Sequence, residues 1–148
     1  MTETIEKVSC NVRRPIEFIL GGNAEFTISN IHNKIHYEYR IRKSKDKNNL
    51  FFIWYKESIE AWKYAGYFTA NGCMIDYRKG KNGNLDVTSP IIKGIFYAMR
   101  HFEELPYPMQ MTHHGKCACC GKKLMDEESV IRGFGPTCWK RVESYRNA

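Results

Sequence analysis

The spacing of apolar residues changes period along this chain, and each change marks a part of it. From residue 24 the period is two. Phe26 and Ile28 stand against Glu25, Thr27 and Ser29. Beyond a turn near His32 and Asn33, Ile35, Tyr37, Tyr39 and Ile41 stand against Lys34, His36, Glu38, Arg40 and Arg42. Such alternation predicts strands with one buried face. After the polar stretch KSKDKNN, the run LFFIWY has no polar break and predicts a central strand covered on both faces. AWKYAGYFT alternates again, with Trp62, Tyr64 and Phe68 on one side, and Asn71-Gly72 predicts a tight hairpin into CMIDY. The pattern adds up to an antiparallel meander of about five strands.

Next the period lengthens. Ser89 and Pro90 offer a hydroxyl cap and a first-turn proline, and Ile92, Ile95, Phe96, Met99 and Phe102 follow at helical spacing, so a helix over residues 89–105 should cover the sheet. LPYPMQMT reads as an extended linker, because each proline disfavours helix in the residue before it. Residues 1–23 lack a sustained period and read as a flexible arm. The expected class is α+β, with a meander and helix over residues 24–112 and a separate C-terminal element over residues 113–148.

Composition modifies this picture only in part. The 148 residues suit one domain. Lys and Arg number 23 against 16 Asp and Glu, a formal charge of +7, which favours partners with phosphate or carboxylate surfaces. There is no long apolar run and no signal-peptide core in MTETIEKVSC, so a soluble cytoplasmic protein without a membrane partner is expected.

The candidate chemistry lies in HHGKCACCGKKLMDEESVIRGFGPTCW, residues 113–139, which holds four of the six cysteines. In a chain without an export signal, a clustered C-A-C-C points to reduced, metal-bound thiols rather than disulfides. Cys117 and Cys120 form a C-x-x-C closed by Gly121, the shape of a knuckle that aims two thiolates at one metal. Cys138 follows Gly133, Gly135 and Pro136, and falls in the first turn of the helix predicted for TCWKRVESYR, where the macrodipole favours a thiolate. The donor set suits Zn²⁺ in a zinc-ribbon or treble-clef-like element. A structural zinc takes four ligands. The spacing leaves the fourth open between His113, His114, Cys119 and the distant Cys10 and Cys73.

A structural role for the metal is the expectation, since a short cysteine-rich element has little core of its own. The deaminase pattern is absent, because Cys138 is followed by Trp139, Lys140 and Arg141 with no second thiol. Nor does the chain carry a phosphate-cradling glycine loop or a nucleophile elbow. The expectation is a non-enzyme with no small-molecule substrate. Basic residues cluster at Arg40, Arg42, Lys43, Lys45 and Lys47, at Arg78, Lys79 and Lys81, and at Lys116, Lys122 and Lys123. The first cluster is the candidate partner-binding surface, diluted by Asp46, and Tyr37 or Tyr67 could stack bases beside it. As plain solvated faces these clusters would need no partner.

From about Phe26 to Cys138 the chain resembles a family of small phage and prophage proteins that end in a zinc-ribbon-like element. Their signature, H-x-G-[RK]-C-x-x-C-G-[RK]-x-L and then S-[IV]-x-x-G-[IF]-G-P-x-C, is met by His113, Gly115, Lys116, Cys117, Cys120, Gly121, Lys122 and Leu124. It continues at Ser129, Val130, Gly133, Phe134, Gly135, Pro136 and Cys138. Cys119 and the stretch Met-Asp-Glu-Glu at residues 125–128 depart from it. The resemblance implies zinc on His113, Cys117, Cys120 and Cys138. The chain also looks like a zinc-containing anti-CRISPR protein, which implies a non-enzymatic inhibitor that binds a type II RNA-guided nuclease in the bacterial host cytoplasm. The other function class is a phage nucleic-acid-binding accessory protein that uses the zinc element and the basic strand together.

Overall fold

A computed structural model of the chain describes residues 10–47, 49–57, 61–72 and 74–146, with side chains to residue 144. The elements in order are β1 (Cys10–Asn11), α1 (Pro15–Ile19), β2 (Asn23–Asn30), β3 (His36–Lys43), β4 (Leu50–Lys56), β5 (Lys63–Asn71) and β6 (Met74–Arg78). They continue with α2 (Pro90–Ala98), β7 (Met109–His113), α3 (Glu127–Arg132) and α4 (Pro136–Arg146). The strands form one antiparallel sheet in the order β1-β7-β2-β3-β4-β5-β6.

The expected meander is β2 to β6. Alternation fixes its pairing, because a one-residue slip would turn every buried side chain to water. Phe26 lies opposite Tyr39, Tyr39 opposite Tyr55, and Ile41 opposite Ile53. The hairpin between β5 and β6 turns just past the Asn71–Met74 pair, where Gly72 has a φ of +62°. LFFIWY is covered on one face only: Phe51, Ile53 and Tyr55 are buried, whereas Phe52 and Trp54 are partly exposed. Its unbroken hydrophobicity reflects aromatic cross-strand contacts on an open face, not burial on both. One register irregularity corrects the expected side for β5. Ile53 pairs with Gly66 but Trp54 pairs with Tyr64, so a bulge at Ala65 puts Tyr64 on the open face and Phe68 in the core.

Two elements depart from the expected boundaries. The linker delivers β7, which pairs with β1 and β2, so Met111 and His113 are buried while Gln110 and Thr112 are partly exposed. Of the expected N-terminal arm, residues 1–9 lie outside the described residues. From Cys10 onward the chain is built in: β1 pairs with β7, and Val12, Phe18 and Ile19 are buried. Helix α2 caps as expected, with the Ser89 hydroxyl accepting from the Ile91 N–H at 3.2 Å. It stops at Ala98 rather than near residue 105. The Arg100 and His101 N–H groups bond to Tyr97 and Ala98, tightening the last turn, and the His101 carbonyl accepts from the Ile16 N–H at 3.2 Å. On its inner side Ile91, Ile92, Ile95 and Ala98 meet the sheet, and the Tyr39 hydroxyl donates to the Ile91 carbonyl at 2.6 Å. The hydrophobic core runs from the sheet through α1 and α2 to Cys117, Leu124, Phe134 and Cys138, across the boundary expected between residues 112 and 113.

Candidate metal centre

The cysteine cluster is assembled by three short pieces that hang on β7. Past His113, Lys116 bridges Lys123 and the Leu124 N–H donates to the Gly115 carbonyl at 2.8 Å, closing a small hairpin. Its turn is the knuckle. The Gly121 N–H donates to the Cys117 carbonyl at 2.9 Å, and Gly121 has a φ of +78° that a side chain would disfavour. Three backbone N–H groups then converge on the Cys117 sulfur, from Cys119 at 3.4 Å, Cys120 at 3.5 Å and Gly135 at 3.3 Å.

The segment between knuckle and last helix forms α3, a helix that the spacing of apolar residues does not predict. Asp126 caps it by accepting from the Ser129 N–H at 3.2 Å, and Gly133 ends it in the left-handed region at φ +81°. A side chain at Gly133 would also strike the Phe18 ring, whose nearest atoms lie 2.8 Å from where its Cβ would stand. Phe134 then enters the core between Phe18 and Trp139, with ring centroids at 6.0 and 5.9 Å. Pro136 opens α4 and delivers Cys138 into its first turn.

These pieces bring the sulfurs of Cys117, Cys120 and Cys138 within 4.8 Å of one another, with Cys117 and Cys138 buried and Cys120 exposed. A tetrahedral zinc with bonds of about 2.3 Å would hold sulfurs roughly 3.8 Å apart, so a small contraction suffices. The thiols themselves are unequal. Burial would raise the Cys117 thiol, but the N–H groups of Cys120, Gly135 and Cys119 outweigh it and hold its pKa below the ordinary value. Cys138 is pushed far up, first by burial and then by the neighbouring Cys119 and Cys117. One thiol ionises more readily than usual while its neighbour resists ionising beside it. A divalent cation removes that conflict, which fits the donor set to a metal such as zinc.

The histidines take other roles. His113 is fully buried and stacks on Phe18 at 5.6 Å. Its Nε2–H donates to the Val130 carbonyl at 2.6 Å, and its Nδ1 accepts from the Gly115 N–H at 2.9 Å. Both ring nitrogens are therefore engaged, and His113 is not brought to the cluster as a fourth ligand. Burial lowers its pKa despite the bond to Val130, so the ring stays neutral. The Nε2 of His114 lies 2.8 Å from the Thr27 hydroxyl. Cys119 lies beside Cys138, whose thiol it helps to push up, and its sulfur is 4.0 Å from Arg141, but it falls outside the group of three mutually close sulfurs. Cys10 sits on β1, in register with His113, and Cys73 lies outside the described residues. Among the described residues the cluster has three protein ligands. The H-x-G spacing that matches a ligand pattern here coincides with a histidine bonded to backbone on both ring nitrogens.

The basic strand is divided between the two faces of the sheet. Arg40 and Arg42 project from the face opposite the core and both bind the Glu25 carboxylate, each at 3.0 Å, with the Lys116 ammonium 3.7 Å from its other oxygen. Burial would raise the Glu25 pKa, but the Arg42 hydrogen bond and the charges of Lys116, Arg40 and Arg42 hold it below the usual carboxylate range. Lys43 lies on the other side, along an apolar cleft of about 1050 Å³ that Cys119 also lines. Lys45 and Lys47 are exposed in the following loop, Tyr37 packs against the core, and Tyr67 lies opposite Phe52 on the open face.

Residues 108–143, which span β7, the knuckle, α3 and most of α4, match the model of a family of unknown function, DUF6011. No curated protein and no solved structure matches the chain. The likeness thus covers the cysteine element and the strand it hangs on. None of the helices among the described residues is long and apolar enough to cross a membrane.

Proposed function

We propose that the protein is a non-enzymatic binding module, stapled by structural zinc on Cys117, Cys120 and Cys138, that covers a target with the open face of its sheet. The observation that carries this reading is the division of labour between the two faces. One face meets α1, α2 and the cysteine element in a continuous core. The other presents Arg40, Arg42, Phe52, Trp54, Tyr64 and Tyr67, on strands held in register by their neighbours. Zinc on these thiols, two of which lie in that core with the Cys117 sulfur tied down by three N–H groups, would hold the fold, its fourth position left to a donor outside the three cysteines.

The likeness to zinc-containing anti-CRISPR proteins supports one target, a type II RNA-guided nuclease blocked by occupancy. Cleavage of target DNA by such a nuclease, measured against increasing protein, should then fall to background near equimolar ratio. Arg40→Gln with Arg42→Gln removes two positive charges and should weaken inhibition about tenfold at equal concentrations of folded protein, the folded fraction being read from a thermal melt of the variant. Undiminished cleavage by every nuclease tried would remove that target.

A further inference from the structure

We infer that the open face of the sheet takes a single unpaired nucleic-acid strand, an inference that rests on reading this face as the binding surface and names its partner. Cross-strand register builds two rows there. One runs Glu25, Arg40, Trp54, Tyr64 and the next runs Arg42, Phe52, Tyr67, Arg78. Each aromatic residue thus has a ring beside it, with a guanidinium at the end of the row. The rings form one patch, with centroids 6.2 Å apart for Phe52 and Trp54, 5.1 Å for Trp54 and Tyr64, and 6.4 Å for Phe52 and Tyr64. Arg40 and Lys56 both stand over the Trp62 ring, at 4.4 and 4.9 Å from its centroid. All these rings are partly exposed.

Charge selects the occupant. Around Glu25 three cations, Arg40, Arg42 and Lys116, share one carboxylate, so that end of the rows keeps a surplus of positive charge while the carboxylate fixes where the guanidinium groups point. At the opposite edge Asp76 offsets Arg78, and Glu38 faces Lys56 across the strands. A second copy of the chain would set these cations against their own kind. An unpaired strand instead offers base rings to the aromatic patch and phosphates to the cationic end, whereas a duplex keeps its base faces stacked inside. Partly exposed aromatic residues on an open sheet alone would be ordinary cross-strand packing; Arg40 and Arg42 flanking them from β3, in the middle of the sheet, give the strand a direction across the face.

The test titrates the zinc-loaded protein into labelled oligothymidylate of about 15 nucleotides, a length within the range of single-strand grooves. Anisotropy should rise as tryptophan fluorescence falls, and log affinity should decline with log salt at a slope near −2, about 0.7 for each cation around Glu25. Trp54→Ala should weaken binding roughly 5- to 150-fold. Arg42→Gln, on the rim and outside the packed core, should weaken binding and flatten the slope by about 0.7, which keeps the test intact if Trp54→Ala unfolds. Oligouridylate bound equally well shows that the sugar is not read, and preference for either polymer identifies the source of the strand. No anisotropy change at low salt, equal affinity for a duplex, or full affinity in both variants would overturn the inference. If nuclease inhibition persists without oligonucleotide binding, the inference falls and the face remains a protein-binding surface. Oligonucleotide binding without inhibition upholds the inference and removes the nuclease.

Discussion

His113 shows how one residue can satisfy a ligand pattern and do something else. A histidine four residues before a C-x-x-C has the reach of a zinc ligand, yet the fold spends both of its ring nitrogens on backbone, tying β7 to α3 through Val130 and to the knuckle through Gly115. Its removal should therefore act on the fold and not on the metal. His113→Ala should retain one equivalent of zinc by metal analysis and lose about 2–4 kcal/mol in urea unfolding, from two hydrogen bonds and the cavity left against Phe18. Cys120→Ser, at an exposed position that contributes little packing, should lose the metal; a reversed pattern would return His113 to the ligand set. Acid should report the same strut. The folded-state pKa of His113 lies below its ordinary value near 6.5, so its unfolded form takes up the proton first. The stability it contributes is complete above about pH 6.5 and declines as pH falls below that, by at most about 1.4 kcal/mol per unit. The stability difference between wild type and His113→Gln, followed from pH 8 to 5 in urea melts, should shrink over that window. Acid also frees the thiols from zinc, but it does so in both proteins.

At the scale of elements, the meander was legible because alternation, an Asn-Gly turn and buried aromatics all point to the same register. β7 was not. M-Q-M-T-H alternates too, but it is short and follows two prolines, and what makes it a strand is the pairing it finds between β1 and β2. The brief β1 was masked in the same way, since only a partner strand distinguishes Cys10–Asn11 from a loose arm. The knuckle and the last helix were legible from glycine, proline and cysteine spacing, whereas α3 depends on an Asp126 cap read as mere acidity. Side-chain sidedness failed where a bulge intervened, as at Tyr64 and Phe68. These misses shift the expected result of truncation. A separate C-terminal element would let a chain ending at residue 112 keep a folded meander and helix, but such a chain loses His113 and Phe134 from around Phe18, and Leu124, Cys117 and Cys138 from the shared core. We expect it to show no cooperative thermal transition and to bind a dye that reports exposed apolar surface. A sharp transition near that of the full chain would restore the expected boundary.

At the scale of the molecule, one core serving both the sheet and the cysteine element means that metal and sheet stability are linked. Zinc that binds only the folded chain stabilises it by about 4 kcal/mol when present at a thousand times its dissociation constant. For a domain of this size that corresponds to roughly 10 °C in melting temperature. Chelation should accordingly lower the melting temperature of the whole protein, not release the C-terminal element by itself. Two optical signals can tell these apart. Trp54 and Trp62 report the open face of the sheet, while Trp139 contacts Phe134 beside the cysteines. With Trp139→Phe in one sample and Trp54→Phe with Trp62→Phe in the other, both fluorescence melts should move together on chelation and keep coincident midpoints. If Trp139 melted early while Trp54 and Trp62 held their midpoint, the cysteine element would be a separable appendage. The open face could then work without its metal, and loss of zinc in the Cys120→Ser variant would leave partner binding intact. A shared transition predicts the opposite: partner binding by Arg40, Arg42 and the aromatic rows should fall with the folded fraction as zinc is withdrawn, although none of those residues touches the metal.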